Sequence, residues 1–500
     1  MSSRPPSLVR RLFATTSIDA MRRAPRSELR RVLGARDLIA VGLGTMIGGG
    51  IFTTIGPGVK LAGPAIIIAF VLAGLASFFA ALAYAELGAM VPVAGSAYTY
   101  AYATLGQLVA WIIGFALIFE YGISAAPVAQ QFSSSLQRAL LQFHVTVPAW
   151  AQTSHFVIHG AWWDARGYDF SHSQYDVIGA LFVIGLSLLL SIGIRETATT
   201  NNVFVVLKLA ALVVFVGAGL TLFHPQNLVP FVPLGWGSLT PFSGGGGAGI
   251  VPAAALVFFS YIGFDTATTT AEECREPQRD VPLGVIGALA IGTVVYCVVA
   301  VVLVGVVPWR RVDENAALAS AVAPLHNAFV DWTITVGVLA GTMSVALSSL
   351  LGQTRIFFVM ARDGMLPPAV AKISPRFKTP VVTTMLTGVA VSLLTLIVPL
   401  DQLLNLVNIG TLAAFIVVCA GVIYLRYKRP DLPRPFRSPF VPVFPAIGIF
   451  LSLALVVFGL STTTLVWFLG AMGVGLVFYF SYGFRRAHPE AGLPAPDDRG

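Results

Sequence analysis

Long apolar segments separated by short polar ones run through the whole chain. Twelve of them stand out, at 37–60, 64–91, 108–138, 175–193, 201–222, 250–273, 283–307, 331–359, 380–399, 402–424, 443–460 and 464–484. Crossing a bilayer as a helix takes about 20 predominantly apolar residues, so the pattern predicts an all-α polytopic membrane protein. It divides into a basic arm at 1–36, a twelve-span body at 37–484 and a tail at 485–500. Two segments are interrupted. The first contains "LGTMIGGGIFTTIGPGV", Leu43 to Val59, with three consecutive glycines and then Gly56-Pro57-Gly58. The sixth reads "VFFSYIGFDTATTTAEECREPQRDVP", with Gly263 and Asp265 leading into a threonine run. Glycine inside a helix costs about 1 kcal/mol relative to alanine and proline about 3 kcal/mol, so both segments are expected to break. Spans one and six hold corresponding positions in two five-span units. Broken helices at such positions point to a transporter site near the bilayer midplane. The repeat is inferred from topology, since no residue-level similarity joins the halves.

A broken helix frees backbone N–H and C=O groups, which must then line a cavity or be buried in protein. A zwitterion satisfies both kinds. The outer half-helix, expected to start near Gly50 or Ile51, offers amides and a positive dipole end to a carboxylate. Freed carbonyls around Ile262 suit an ammonium group. Gly44-x-x-x-Gly48 is also a small-residue packing motif, and packing alone would account for one glycine cluster. It accounts less well for two breaks at matched positions.

Composition removes other classes. Hydrophobic residues make up 56% of 500 and charged residues only 11%, against about 25% charged in soluble domains. The net charge of +8 does not imply a nucleic-acid partner, because the basic residues collect in the arm, loops and tail. With the N-terminus inside, 25 of the 31 Lys and Arg fall on the inner side, five outside and one, Lys208, within a span. That asymmetry predicts both termini in the cytoplasm. The arm lacks an apolar stretch of signal-peptide length and reads as a basic arm on an anionic leaflet. Cys274, Cys297 and Cys419 show no paired spacing, so neither a disulfide framework nor a zinc site is indicated. The large outer segment, 139–174, holds four of the seven histidines, read as loop residues.

Ionisable residues inside spans are functional hypotheses by default, since each costs about 2.5–3.5 kcal/mol on insertion scales. Lys208, in "NNVFVVLKLAALVVFVG", is a candidate proton carrier; the alternative is a side chain that snorkels to the inner surface. Glu120, in "LIFEYGISAAP", lines the side-chain pocket, moves a proton or makes a structural hydrogen bond. Asp265, at the sixth-span break, holds the unwound segment or couples protons. Glu86 reads as a structural or gate residue near the inner end of span two. "EPQRDVP" and "ARDGMLP" read as loop caps and inner-gate ion pairs. Ser344, Ser348 and Ser349 in the eighth span leave room for a substrate side chain.

Four motifs together carry a family resemblance: "GTMIGGGIF" at 44–52, "FFSYIGFDTATTTAEE" at 258–273, "EPQRDVPLG" at 276–284 and "ARDGMLP" at 361–367. Over roughly 30–485 the chain resembles the cationic amino acid transporter family of the amino acid–polyamine–organocation superfamily. The resemblance implies an inverted-repeat fold, spans 1–5 and 6–10, with two extra helices. It also implies secondary transport of amino acids across the plasma or inner membrane. The family's carboxylate-binding segment falls on Gly48, Gly49 and Gly50, its amino-group carbonyls on Phe259, Ser260 and Ile262, and its aromatic gate on Phe259. Many relatives carry Ser or Thr at or beside Gly49, so the triple glycine here loses a hydroxyl and keeps the amides. Lys208 matches a fifth-span lysine that, in similar proton-coupled members, stands where sodium-coupled members hold sodium.

The expected function is proton-coupled symport of small neutral or cationic L-amino acids by alternating access. Its partners are the amino acid, protons and the lipid bilayer, with no cofactor, metal or nucleic acid, and the oligomeric state is open. An exchanger of amino acids or polyamines is the nearest alternative. A membrane amino acid sensor ranks below it, and an enzyme lower still, since no nucleophile–base or metal-ligand cluster stands out. No Gly-x-x-x-x-Gly-Lys-Ser/Thr motif points to ATP-driven pumping.

Overall fold

The computed structural model describes Leu12 and residues 33–90, 96–158, 168–192, 198–238, 240–242, 247–269, 274–377 and 379–486. Most of the expected arm and tail lie outside these residues. Each of the twelve apolar segments carries helix. In chain order the helices are α1 Ala35–Met46, α2 Gly49–Ala62, α3 Ile66–Met90, α4 Ser96–Thr104, α5 Gln107–Gln142, α6 Val177–Ile192, α7 Ala198–Thr221, α8 Ile250–Val257, α9 Thr266–Thr269, α10 Pro277–Val306, α11 Ala317–Val322, α12 Ala328–Arg362, α13 Val381–Ile397, α14 Leu400–Lys428, α15 Val443–Gly459 and α16 Thr462–Phe478. Among the described residues eight helical stretches are long and apolar enough to cross a membrane. Gly49–Met90 counts as one of them, and α6, α13 and α15 are shorter apolar helices. This is a polytopic helical membrane protein.

Four details depart from the expectation. The segment 139–174 is not loop throughout: β1 His155–Ile158 pairs antiparallel with β2 Tyr168–Gln174. An apolar-periodicity reading does not register so short and polar a hairpin. Helix α4 lies between the second and third segments, where no helix was expected; its Tyr98, Tyr100 and Tyr102 are buried. Helix α10 begins at Pro277, six residues early, because "EPQRDVP" forms its first turns. Proline is suited to the first helical position, and the Asp280 carboxylate accepts from the Glu276 amide at 3.1 Å. Lastly, α2 begins at Gly49 rather than Gly50 or Ile51.

Packing links elements far apart in sequence. The broad helix contacts join α3 to α10, α5 to α12, and α6 to α13, while α2 lies against α8. Helix α12 also packs on α7, and α10 on α1. Each of the first four apolar segments thus meets the segment five places later. The two breaks are thereby brought together in the middle of the buried core.

The basic segments gather at one face. There Glu86, 1% exposed at the end of α3, accepts from Arg426 Nε at 3.0 Å and Nη2 at 2.9 Å, and from the Ser438 amide at 2.8 Å. Arg434 Nε lies 3.4 Å from the same carboxylate. The Tyr98 hydroxyl donates to Asp363 at 2.7 Å, tying α4 to the end of α12. Glu86→Ala leaves two guanidiniums facing a buried void. Removing one partner of a buried ion pair costs about 3–5 kcal/mol, so the variant should melt well below the native protein in detergent. An unchanged melting temperature would remove Glu86 from this structural role.

Candidate functional site

The first break is sharp. Helix α1 ends at Met46, Ile47 is extended, and Gly48 sits at φ 138° before α2 starts at Gly49. L side chains rarely adopt that φ, so glycine is required at 48 on backbone grounds. The next two glycines are required by space. A Cβ at Gly49 would lie 2.7 Å from both Val128 Cγ2 on α5 and Val345 Cγ1 on α12. At Gly50 it would lie 2.5 Å from Ser260 Cα. Ile51 follows, fully buried in the first turn of α2.

In the sixth segment α8 gives way to a 3₁₀ turn over Phe258–Tyr261, Ile262 is extended, and Gly263 has φ 113° before α9. Phe259 and Ser260 are buried and Ile262 is half-buried. The Ser260 carbonyl accepts from the Tyr296 hydroxyl at 2.8 Å and the Phe259 carbonyl from the Ile262 amide at 3.2 Å. Each of these oxygens keeps a second lone pair.

Two hydroxyl links bind break to break. Thr54, one turn after Gly50, donates to the Gly50 carbonyl at 3.0 Å and shares a 2.7 Å hydrogen bond with Ser260 Oγ. Before the first break, Thr45 donates to the Gly263 carbonyl at 2.8 Å and lies 3.0 Å from Thr266 Oγ1. The sequence reading quoted both threonines inside motifs and gave them no role. Their position flanking the glycines, four residues before Gly49 and four after Gly50, was the available signal. Thr45→Val keeps the shape and deletes the hydroxyl link between the breaks, while the Gly263 carbonyl keeps the Thr266 hydroxyl at 2.6 Å and the Thr266 amide at 3.1 Å. A loss of about 0.5–1.5 kcal/mol follows, read as a lower melting temperature that Thr45→Ser restores.

Lys208 is fully buried on α7 and its ammonium donates to the Gly44 carbonyl in α1. In an unbroken helix that oxygen would take the amide of residue 48, which is where the helix stops. The lysine therefore points at the break, not at a surface, and the snorkelling alternative does not describe it. Glu120 and Asp265 are both buried. The Tyr121 hydroxyl donates to Asp265 Oδ2 at 3.0 Å. The two carboxylates and Tyr84 form one electrostatically linked group behind the sixth-segment break. Ser349 is buried one turn from Val345, on the same face of α12, and Ser348 beside it is partly exposed. Val128 and Val345, which stand over Gly49, were missed, because nothing in either local sequence distinguishes them from other apolar span residues.

Helix breaks paired in this way, buried at the middle of a multi-pass helical body, define a membrane transporter. The chain matches the amino acid permease family over residues 33–479 and belongs to it. It is 39% identical to the branched-chain amino acid permease of Bacillus subtilis, covering 91% of this chain and 93% of that one. Identity is 37% to the methylthioribose transporter of the same organism, over 94% and 97%. A vacuolar cationic amino acid transporter of Arabidopsis thaliana is 35% identical over 85% of this chain and 68% of its own length.

Proposed function

We propose that the protein is a proton-coupled symporter of neutral aliphatic L-amino acids, working by alternating access across the cell membrane. The observation that carries this reading is the apposition of the two breaks, with Gly50 against Ser260. The substrate carboxylate sits on the amides of Gly49, Gly50 and Ile51 at the start of α2, where the helix dipole favours negative charge. Its ammonium group faces the Ile262 carbonyl and the second lone pairs of Phe259 and Ser260, and Phe259 closes over it. Twelve crossings in two five-span repeats, plus two further helices, agree with the contacts between each of the first four segments and the one five places later. Both termini then lie on the cytoplasmic side, with the basic face.

The neutral aliphatic preference rests on Val128 and Val345 over Gly49 and on the resemblance to branched-chain permeases. Val345→Ala enlarges that pocket. One methylene is worth about 1–3 kcal/mol of discrimination, so the ratio of uptake efficiencies for phenylalanine over alanine should rise by about tenfold. An unchanged ratio, with Ser349→Met also without effect, would place the side-chain pocket elsewhere. Glu120 and Asp265 near the site favour a second reading, cationic substrates. The test of both is uptake by purified protein in liposomes, with labelled isoleucine, alanine, lysine, a polyamine and methylthioribose. Counterflow without any proton gradient would favour the exchanger.

A further inference from the structure

An apolar cleft of 460 Å³ runs along the flank of the helical body between α5, α12 and α13. The 3₁₀ turn Pro368–Ala371, which joins α12 to α13 on the basic face, lines one end through Ala369 and Val370. Thr383 donates to the Val370 carbonyl, so that end is held against the first turn of α13. From Val382 to Leu394 the cleft follows α13, about 18 Å at 1.5 Å per residue. The hydrocarbon of one leaflet is about 15 Å deep, half of a core of about 30 Å. Val382 and Leu386, which line the cleft, are 58% and 68% exposed. The long side therefore opens on the surface that a membrane protein turns to lipid.

One amide interrupts the apolar wall. Gln353 of α12 is 2% exposed and lies across Gly122 of α5, where a Cβ would come within 3.3 Å of its Nε2. Its Oε1 is sealed in without a partner. Its Nε2, which is not sealed, makes no hydrogen bond among the described residues. In hydrocarbon no water supplies the missing acceptor, and an unmet amide is costly. The third and ninth apolar segments, α5 and α13, run the same way, and Gln130 donates to the Thr395 carbonyl at 2.9 Å. Eight residues back along each helix, Gly122 and with it Gln353 come level with Thr387. That is one turn, about 6 Å, from Thr383 and the basic end. Just past the 3₁₀ turn stand Lys372 and Arg376, both exposed and, among the described residues, without an ion pair.

We propose that this cleft holds one acyl chain of an anionic phospholipid from the leaflet on the basic face. The chain lies along Leu386, Ala390 and Leu394. Its ester carbonyl, close to the headgroup end, accepts from Gln353 Nε2. The phosphate stands at Lys372 and Arg376, since each basic residue near the membrane surface adds attraction for anionic lipid. Length, mouth and charge select this occupant together. The cleft is one leaflet long, it opens to lipid, and the cations stand at the end where a headgroup emerges. A neutral lipid leaves both cations unmet, and a water-soluble ligand would have to cross lipid to reach the mouth. Ser349 is one turn from Gln353 on α12, and Tyr121, which donates to Asp265, adjoins Gly122. The lipid thus braces the α5–α12 seam behind the candidate site.

The test reads binding and does not rest on the transport reading. Delipidated protein in detergent is titrated with dioleoyl phosphatidylglycerol or dioleoyl phosphatidylcholine, and retained lipid is counted by native mass spectrometry. The native protein should hold one phosphatidylglycerol about tenfold more tightly than phosphatidylcholine. Ala390→Phe and Val382→Trp each fill the cleft from its exposed wall and should lose that lipid. Gln353→Leu keeps the size and removes the donor, so affinity should fall about fivefold, the worth of one hydrogen bond. Lys372→Gln combined with Arg376→Gln should erase the preference for phosphatidylglycerol. Melting temperatures without added lipid, unchanged from native, confirm each fold. Equal affinity of the native protein for the two lipids overturns the proposal. So does undiminished phosphatidylglycerol binding in the two filled variants. A native protein that moves no amino acid overturns the transport reading and leaves the lipid site standing.

Discussion

Gly49→Val should yield a folded, membrane-inserted protein that no longer binds substrate. The first added carbon already meets Val128 and Val345 at 2.7 Å, and valine brings two more methyls. Overpacking a filled site costs about 1–3 kcal/mol, which a large membrane protein with an intact core can absorb. The proposed site would not absorb it, because the new side chain would take the space assigned to the substrate carboxylate beside the amides of Gly49, Gly50 and Ile51. Isothermal calorimetry or ligand-dependent thermal shift on purified protein reads the result. Binding within twofold of native would remove this segment from the site. Gly50→Ala provides the comparison. Its Cβ would strike Ser260 Cα at 2.5 Å, a backbone atom that cannot rotate away, so it should separate the two breaks and lower the melting temperature as well.

Lys208→Ala is the second large effect, and it separates binding from coupling. The buried ammonium joins α7 to the last turn of α1 at the Gly44 carbonyl. In the proposed coupling, the protonated amine would hold the two helices together at the break and favour binding, and loss of the proton toward the inner side would weaken the bond to Gly44. A fixed amine supplying the positive charge there would leave no need for sodium. The alanine variant should lose accumulation driven by a proton gradient while still catalysing counterflow between equal amino acid pools. Native uptake should rise as external pH falls and be indifferent to exchanging sodium for potassium. Sodium-stimulated uptake would remove the lysine from this role. Undiminished accumulation in the alanine variant would move the role to Glu120 or Asp265.

The parts of the structure visible in the sequence are those set by local composition. Each of the twelve segments that apolar length marked carries helix, and glycine with β-branched neighbours marked both breaks to within one or two residues. Lys208 was visible as a charge in an apolar run, and the break was the natural place to look for its partner. Less visible was everything that depends on which helix faces which. Glu86 meets Arg426 340 positions away, and neither local sequence names the other. Thr45 and Thr54 look like ordinary span residues until Gly263 and Ser260 are placed against them. Val128 and Val345 acquire meaning only over Gly49. The hairpin at His155–Gln174 and helix α4 lie in polar or tyrosine-rich stretches, where apolar periodicity carries little information.

The claim at the centre of this account is that substrate movement is driven by protons. It is tested most directly by purified native protein in liposomes loaded at neutral pH and diluted into acidic, sodium-free buffer with labelled L-isoleucine. The account predicts accumulation above the external concentration that a protonophore collapses and that L-alanine competes away. Uptake that ignores the pH gradient, and proceeds only when amino acid is present on the far side, would contradict it.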